Sequence, residues 1–270
     1  NLKKFFNKIM HILITGGCGY TGTLLTNNLV DLGYKVTVVD TQWFGNYLIP
    51  RKNLKVEKLD IRDYEKIPLE GVDTVIHLAS IANDPSVELN TKLSWEVNVL
   101  ATQKLVENSV KNKVKQFIFA SSGSVYGVKE EEEVTEELSL VPISTYNKTK
   151  MISERVLKSY ENDIKIHCIR PATVCGFSPR MRLDVSVNML TFQALKFKSM
   201  SVFGGNQIRP NIHIQDLVNV YKHFIFNPNL SSGFYNAGFE NLKIIEIAKK
   251  VAEIIPSEII IKNKNDPRTY

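Results

Sequence analysis

The sequence predicts an α/β fold, with a doubly wound parallel sheet and a smaller C-terminal α/β lobe. Three observations predict it. Apolar runs of strand length alternate with stretches of helical periodicity over the first two thirds of the chain. The first run, residues 9–14, passes directly into a glycine-rich turn, and the second, residues 35–39, ends at Asp40. Because each intervening helix returns the chain to the same edge of the sheet, most neighbouring strands are expected to be parallel.

The remaining elements are predicted from the spacing of apolar residues. Up to residue 170, strands are expected at 55–59, 74–78, 116–120 and 165–169, with helices near 94–111 and 146–162. Beyond Pro171 the alternation is looser, with helices near 187–198, 215–226 and 243–254 and short strands near 201–203, 233–235 and 258–261. This change of pattern indicates a boundary close to residue 170.

Three glycines follow the first strand in the spacing G-x-x-G-x-x-G, at Gly16, Gly19 and Gly22. The first allows a sharp turn, the second allows the backbone to approach a pyrophosphate, and the third allows close helix–strand packing. The N–H groups at the start of the helix then face the phosphates. At the end of the second strand, the Asp40 carboxylate can accept both hydroxyls of an adenosine ribose. The turn predicts a Rossmann-type dinucleotide-binding domain over residues 1–170, with a substrate lobe over residues 171–270.

Composition agrees with one medium-sized cytosolic enzyme. The chain has 270 residues, of which 43% are hydrophobic, so it can bury a large core. No apolar run approaches the roughly 18 residues that span a membrane, and the odd number of cysteines favours free thiols in a reducing compartment. The net charge of +6 is compatible with nucleic acid or with phosphorylated small ligands. Because the basic residues are scattered, without an arginine-rich arm, we favour small ligands and expect no nucleic-acid or membrane partner.

Catalytic chemistry is indicated by Tyr146 and Lys150, which lie four residues apart and share one face of a predicted helix. An ammonium beside a phenol favours the phenolate and suits the tyrosine for general acid/base work. The serine-rich run at residues 120–127 follows a predicted strand, where open sheets place their ligands. A serine there can bond the same substrate oxygen as Tyr146. His77 and His213 are assigned to structure, because no other residues show metal-ligand spacing, and no metal site is expected.

These residues together resemble the extended short-chain dehydrogenase/reductase family, in its NAD-dependent nucleotide-sugar epimerase/dehydratase branch, which includes enzymes like UDP-glucose 4-epimerase. The resemblance runs from about residue 9 to the end of the chain. It is carried by the glycine turn at 15–22, Asp40, 60–61, 77–79, Asn98, 121–122, 125–127, 146–150, 170–171 and 209–216. The chain ends earlier than this family usually does, so we expect a lobe that is truncated or lacks its last elements.

The resemblance implies a role for each matching position. Lys150 would bind the nicotinamide ribose and tune Tyr146, which would remove a sugar hydroxyl proton, while Ser122 steadies the developing carbonyl and Ser124 is a second candidate hydroxyl. Contacts to NAD are implied for Gly16, Gly19, Tyr20, Thr21, Gly22, Asp40, Asp60, Ile61, Ala79, Tyr146 and Lys150. Contacts to a nucleotide-diphosphate sugar are implied for Ser122, Ser124, Asn188, Arg209 and Arg268. A homodimer is implied as well.

Departures from the family pattern bear on the reaction. Dehydratases of the family usually carry an Asp-Glu pair directly after the active-site hydroxyl, where this chain has Gly123 and Ser124. Without that acid and base, elimination is disfavoured and we expect an epimerase that works through a transient keto intermediate. A nucleotide-sugar dehydratase or 4-ketoreductase is the alternative among enzymes. A catalytically idle dinucleotide-sensing or nucleic-acid-binding module is the alternative outside them, and the nucleotide, the sugar and the carbon stay open.

Overall fold

The computed structural model describes residues 9–131 and 133–263, and these contain a seven-stranded sheet with helices on both faces. The strands lie in the order β10-β6-β5-β4-β1-β2-β3, and every neighbouring pair is parallel. The strands of the sheet are β1 (His11–Thr15), β2 (Lys35–Asp40), β3 (Leu54–Lys58), β4 (Thr74–His77), β5 (Gln116–Ala120), β6 (Lys165–Pro171) and β10 (Gly233–Ala237). This sheet confirms the predicted fold class.

Helices on each face of the sheet bury one apolar cluster. On one face lie α1 (Tyr20–Asp31) and α7 (Ile214–Phe226), which pack Leu25 and Tyr221 onto the sheet. On the other lie α4 (Ala101–Lys111) and α5 (Thr145–Lys158), which contribute Leu105 and Leu157. All four of these side chains are almost completely buried. The apolar residues of β1, β4 and β5 therefore lie between two helical layers, as their uninterrupted apolar runs require.

A second, smaller core lies in the C-terminal part of the chain. It is formed between α6 (Ser186–Phe197), α8 (Ile244–Ile254) and the two-stranded sheet of β8 (Ser199–Phe203) and β12 (Glu258–Lys262). A three-stranded sheet of β7 (Thr173–Cys175), β9 (Ile208–His213) and β11 (Glu240–Lys243) lies beside it. The sequence pattern predicted β8 and β12 but not β7, β9 or β11, whose residues alternate little in polarity.

The division expected at residue 170 is not a division of the main sheet. β10, from the C-terminal part, pairs with β6 through the register Gly233↔His167 to Ala237↔Pro171, and α7 packs against α1. The two domains stay a prediction, while β10 and α7, both from beyond residue 170, belong to the main sheet and its helical layers.

The helix predicted near 94–111 is three consecutive segments. These are α3 (Thr91–Trp95), a π-helical turn at Glu96–Leu100, and α4, and the short α2 (Asp84–Leu89) precedes them. Within the π turn, the Asn98 side chain accepts from the N–H of Ile81 and donates to its carbonyl, at 2.8 and 3.1 Å. This turn holds the loop that follows β4, a tertiary contact that helical periodicity does not reveal.

Among the described residues, no helix combines the length and the apolar character needed to cross a bilayer.

Candidate active site

A large cleft of about 2030 Å³ lies along the carboxyl ends of β1, β2, β4 and β5 and extends into the C-terminal part. This is where an open α/β sheet binds its ligands. With the exception of Asn188 and Arg268, every residue that the sequence assigned to cofactor, catalysis or substrate lines it. The structure thus brings together residues from seven separate stretches of the sequence.

The glycine turn leaves no room for side chains. Gly16 has φ +75°, and a Cβ atom there would lie 2.6 Å from the backbone nitrogen of Ala79. A Cβ atom on Gly22 would overlap the carbonyl oxygen of Gly16. Gly19 is the N-cap of α1 and no side chain among the described residues caps this helix, so the N–H groups of its first turn are available to an anion in the cleft that residues 19–22 line.

Asp40 lies beside this cradle and is oriented by it. One carboxylate oxygen accepts from the N–H of Cys18 at 3.0 Å, and the other accepts from the N–H of Gln42 at 2.7 Å. The side chain stays partly exposed in the cleft. A carboxylate held in this way can accept ribose hydroxyls and repels a phosphate placed on the same ribose.

Asp60 and Ile61 continue the same wall of the cleft. The guanidinium of Arg62 bonds the Asp60 carboxylate, with a shortest contact of 2.8 Å, and also lies 3.4 Å from Glu96. These bonds from Arg62 lower the pKa of the Asp60 carboxyl. Asp60 is therefore a fixed anion at the position assigned to adenine, while Ile61 provides an apolar surface.

His77 is a structural residue, as expected. Its ring is buried and bonds Thr15 at 2.6 Å and Thr102 at 2.8 Å. Burial lowers its pKa to about 3, so the ring is neutral at physiological pH. His213 caps α7 by accepting from the N–H of Gln215. In the described ranges, no group of three or more His, Cys, Asp or Glu side chains is placed to hold a metal ion.

Tyr146 and Lys150 lie in the first turns of α5, which Ser144 begins by accepting from the N–H of Asn147. The Lys150 side chain is 3% exposed and donates to the carbonyl of Ala120, at the end of β5, at 2.8 Å. Its nitrogen lies 5.9 Å from the centre of the Tyr146 ring. The pKa of Lys150 is lowered to about 7, because burial outweighs the opposing effect of the Glu154 charge. The Lys150 side chain is thus held between the tyrosine and the end of β5, two residues before Ser122.

Behind this pair lies a buried ion pair that the sequence reasoning missed. The Arg170 guanidinium grips the Glu154 carboxylate with two bonds of 2.9 and 2.7 Å, and both side chains are almost completely buried. Glu154 also accepts from Ser121, and Arg170 donates to the Tyr126 hydroxyl. The sequence does contain a signal for Glu154, because it follows Lys150 by the same four residues that separate Lys150 from Tyr146. This spacing places all three side chains on one face of α5.

In the C-terminal part, Arg209 is largely buried and lines the cleft. Asn188 is buried behind the cleft wall, where it accepts from the N–H of Gly176 and donates to Tyr20 and to the carbonyl of Arg182. Its contact with a diphosphate stays a prediction. Arg268 lies outside the described residues.

Arg180 and Arg182 also line the cleft, and the sequence reasoning did not single them out. Arg182 is held by Asp184 through bonds of 2.8 and 3.0 Å, and the same carboxylate accepts from Asn83 across the cleft. Arg180 lies over the ring of Phe44, 4.1 Å from its centre. The Arg-x-Arg pattern at 180–182 was the available signal.

Comparisons with known proteins identify the family of this sequence. The sequence pattern of the NAD dependent epimerase/dehydratase family matches residues 12–238. A Bacillus subtilis protein called an uncharacterized UDP-glucose epimerase is 32% identical over 264 residues, which cover 91% of this chain and 82% of that protein.

Two solved structures have similar folds. The NAD-dependent NDP-hexosamine 5,6-dehydratase TunA is 26% identical with a TM-score of 0.86, and the match covers 95% of this chain and 85% of TunA. A UDP-N-acetylglucosamine 4-epimerase from Methanobrevibacter ruminantium, in complex with UDP-N-acetylmuramic acid, is 25% identical with a TM-score of 0.86, and the match covers 96% of this chain and 87% of that one.

Proposed function

The chain belongs to the NAD-dependent epimerase/dehydratase family, and on that premise we propose that it epimerises a nucleotide-diphosphate sugar through a transient ketone. It is an NAD-dependent enzyme of the epimerase/dehydratase kind. One observation carries the finer proposal. Tyr146, Lys150 and Ser122 meet at the cleft, whereas the two positions after Ser122 have no carboxylate to eliminate water.

NAD fits the residues that line the cradle. Gly16 and Gly22 keep the turn packed against the backbone of Ala79 and Gly17, which supports a close approach of a pyrophosphate at Gly19. The Asp40 carboxylate, bonded to the N–H of Cys18, would accept from a ribose. Asp60 and Ile61 would hold the adenine, and Ala79 and Lys150 would line the path to the nicotinamide. When bound, NAD supplies a carbon that accepts a hydride from the sugar and returns it.

Tyr146 acts as the acid and base in this proposal. As a phenolate it takes the proton of the sugar hydroxyl. As a phenol it returns that proton after the keto sugar has rotated in the cleft to present its opposite face. The neighbouring Lys150 ammonium favours the phenolate electrostatically. Ser122 bonds the sugar oxygen from a second direction, and Arg209 grips the diphosphate, since a guanidinium can bond two of its oxygens together.

Mass spectrometry on a panel of UDP-, GDP-, CDP- and dTDP-sugars tests the reaction. We expect a product of unchanged mass, no accumulation of free NADH, and retention of deuterium placed on the reacting carbon, because that hydrogen leaves and returns as a hydride. The Tyr146→Phe variant is the matched control. Loss of the mass of one water would support a dehydratase, and stoichiometric consumption of added NADH would support a ketoreductase. Solvent deuterium at carbons beside a carbonyl would indicate enolisation. Any of these three results would contradict the epimerase proposal.

The position of Asp40 leads to a prediction about cofactor choice. We expect NAD to bind more tightly than NADP, because the carboxylate accepts ribose hydroxyls and repels a 2′-phosphate. Asp40→Ala should weaken NAD binding by about tenfold, the usual effect of losing a hydrogen bond to a charged group. Calorimetry with both cofactors measures it, with the exposed Asp31→Ala as the matched control. Tighter binding of NADP, or unchanged NAD affinity in Asp40→Ala, would contradict the assignment.

A further inference from the structure

Ser122, Ser124 and Asn147 form a chain of hydrogen bonds that begins at the cleft and ends in the interior. The two serine hydroxyl oxygens are 2.7 Å apart, and the Ser124 hydroxyl lies 2.6 Å from the Oδ1 atom of Asn147. Both serines line the cleft, and Asn147 is completely buried. The chain joins the end of β5 to the first turn of α5, directly beside Tyr146.

The direction of this chain follows from counting hydrogens. Asn147 Oδ1 carries none, so Ser124 donates the hydrogen of the 2.6 Å contact. A hydroxyl has a single hydrogen, and therefore Ser122 donates the hydrogen of the 2.7 Å contact. Ser122 then presents a lone pair, and no hydrogen, to the cleft. In this direction it can accept a hydrogen bond from a sugar hydroxyl, but it cannot donate one to a ketone.

The Asn147 amide is the element that can reverse the direction. Its Nδ2 atom is buried and has no hydrogen-bond partner within the described part of the chain. A half-turn of the amide would exchange the two atoms and bring Nδ2 to Ser124. Ser124 would then donate to Ser122, and Ser122 would donate into the cleft. Each orientation pairs one end of the amide and leaves the other unpaired, so the half-turn loses no hydrogen bond to the amide.

We propose that Asn147 and Ser124 are positioning residues that switch Ser122 between hydrogen-bond acceptor and donor as the sugar oxygen changes from hydroxyl to carbonyl. The proposal rests on the epimerase function proposed above. The free protein has the acceptor direction, and the ketone selects the donor direction because a carbonyl oxygen can only accept. Asn147 is buried and does not line the cleft.

Substitutions at Asn147 test the switch through kcat and KM. Asn147→Asp places a carboxylate there, which when ionised only accepts, and so fixes Ser122 as an acceptor. Every variant and the original chain are compared at the same pH values, so that the ionisation of Lys150 is common to all of them. We expect kcat to fall about tenfold or more, with little change in KM. Asn147→Leu has similar size but leaves the Ser124 hydrogen free to turn toward Ser122, and should lose less than about fivefold. A purely structural role for the amide would make the leucine variant at least as slow as the aspartate variant, and would overturn the proposal.

Double variants give a second, independent result. Removing the middle hydroxyl with Ser124→Ala should restore the Asn147→Asp variant to the rate of Ser124→Ala alone, because the carboxylate then no longer acts on Ser122. Adding Asn147→Asp to the Ser122→Ala variant should lower kcat no further. If the fold-decreases in kcat of the single variants simply multiply in both double variants, the proposed hydrogen-bond chain is contradicted. Calorimetric NAD affinity shows whether each variant is folded.

Neutron diffraction on deuterium-exchanged crystals of the unliganded protein reads the direction without any substrate. We expect deuterium on Ser122 pointing to Ser124, and deuterium on Ser124 pointing to Asn147. Deuterium on Ser124 pointing to Ser122 would overturn the proposal. If the panel of nucleotide sugars gives no turnover, the proposed function fails, and the neutron result still decides the direction of the chain.

Discussion

Replacing Tyr146 with phenylalanine should lower turnover of the nucleotide sugar by at least about 10²-fold, the usual contribution of a general acid/base. The substitution removes only the hydroxyl, so the ring keeps its place beside Lys150, whose nitrogen lies 5.9 Å from the ring centre. NAD affinity should change little, because the cradle for the cofactor is formed by the glycine turn and Asp40.

Steady-state kinetics with the substrate identified by mass spectrometry measures this effect. Tyr160→Phe is the matched control, since Tyr160 lies beyond the end of the same helix and does not line the cleft. The control should keep the original kcat. A phenylalanine variant at position 146 that turns over at nearly the original rate would remove Tyr146 from the proposed mechanism.

The largest loss of stability is expected from Arg170→Met, which leaves the Glu154 carboxylate buried without its guanidinium. Both side chains are at most 2% exposed, and the pair is joined by two bonds. Breaking a buried pair from one side costs about 3–5 kcal/mol of unfolding free energy, because the remaining carboxylate loses both guanidinium bonds and keeps only the Ser121 hydroxyl as a hydrogen-bond donor. Urea denaturation followed by circular dichroism measures it.

The double variant Glu154→Gln/Arg170→Met should recover much of this loss, because it leaves no unpaired charge. Lys111→Met is the surface control, since its bridge to Glu107 is solvent-exposed and such bridges contribute about 0–1 kcal/mol. Equal losses from the buried and the exposed substitutions would show that the interior pair contributes no more than a surface bridge.

Residues close together in the sequence made much of the fold and part of the site predictable. The strand, glycine turn and helix at residues 11–31 lie as predicted, and Tyr146 and Lys150 share a helix face because four residues complete about one turn. These predictions depend on local geometry, which the order of residues largely determines.

Other features depend on partners that are distant in the sequence. The π turn at Glu96–Leu100 holds the loop at Ile81, and the Asn188 amide is occupied by Gly176 and Arg182. Arg170 appeared in the sequence only as part of a family motif, and its bond to Glu154 is a tertiary contact. Neither periodicity nor spacing reveals which buried polar groups pair across elements.

The pairing of β10 with β6 has a consequence for the order in which this chain can acquire its structure during synthesis. When residue 170 leaves the ribosome, the outer edge of β6 still has unpaired backbone groups, and its partner is not synthesised until residues 233–237. All of β7, α6, β8, β9 and α7 are made in between. The nascent chain therefore carries an open strand edge through the translation of some sixty residues, and such edges are where chains associate wrongly. The main sheet can therefore be completed only after most of the C-terminal elements have been synthesised.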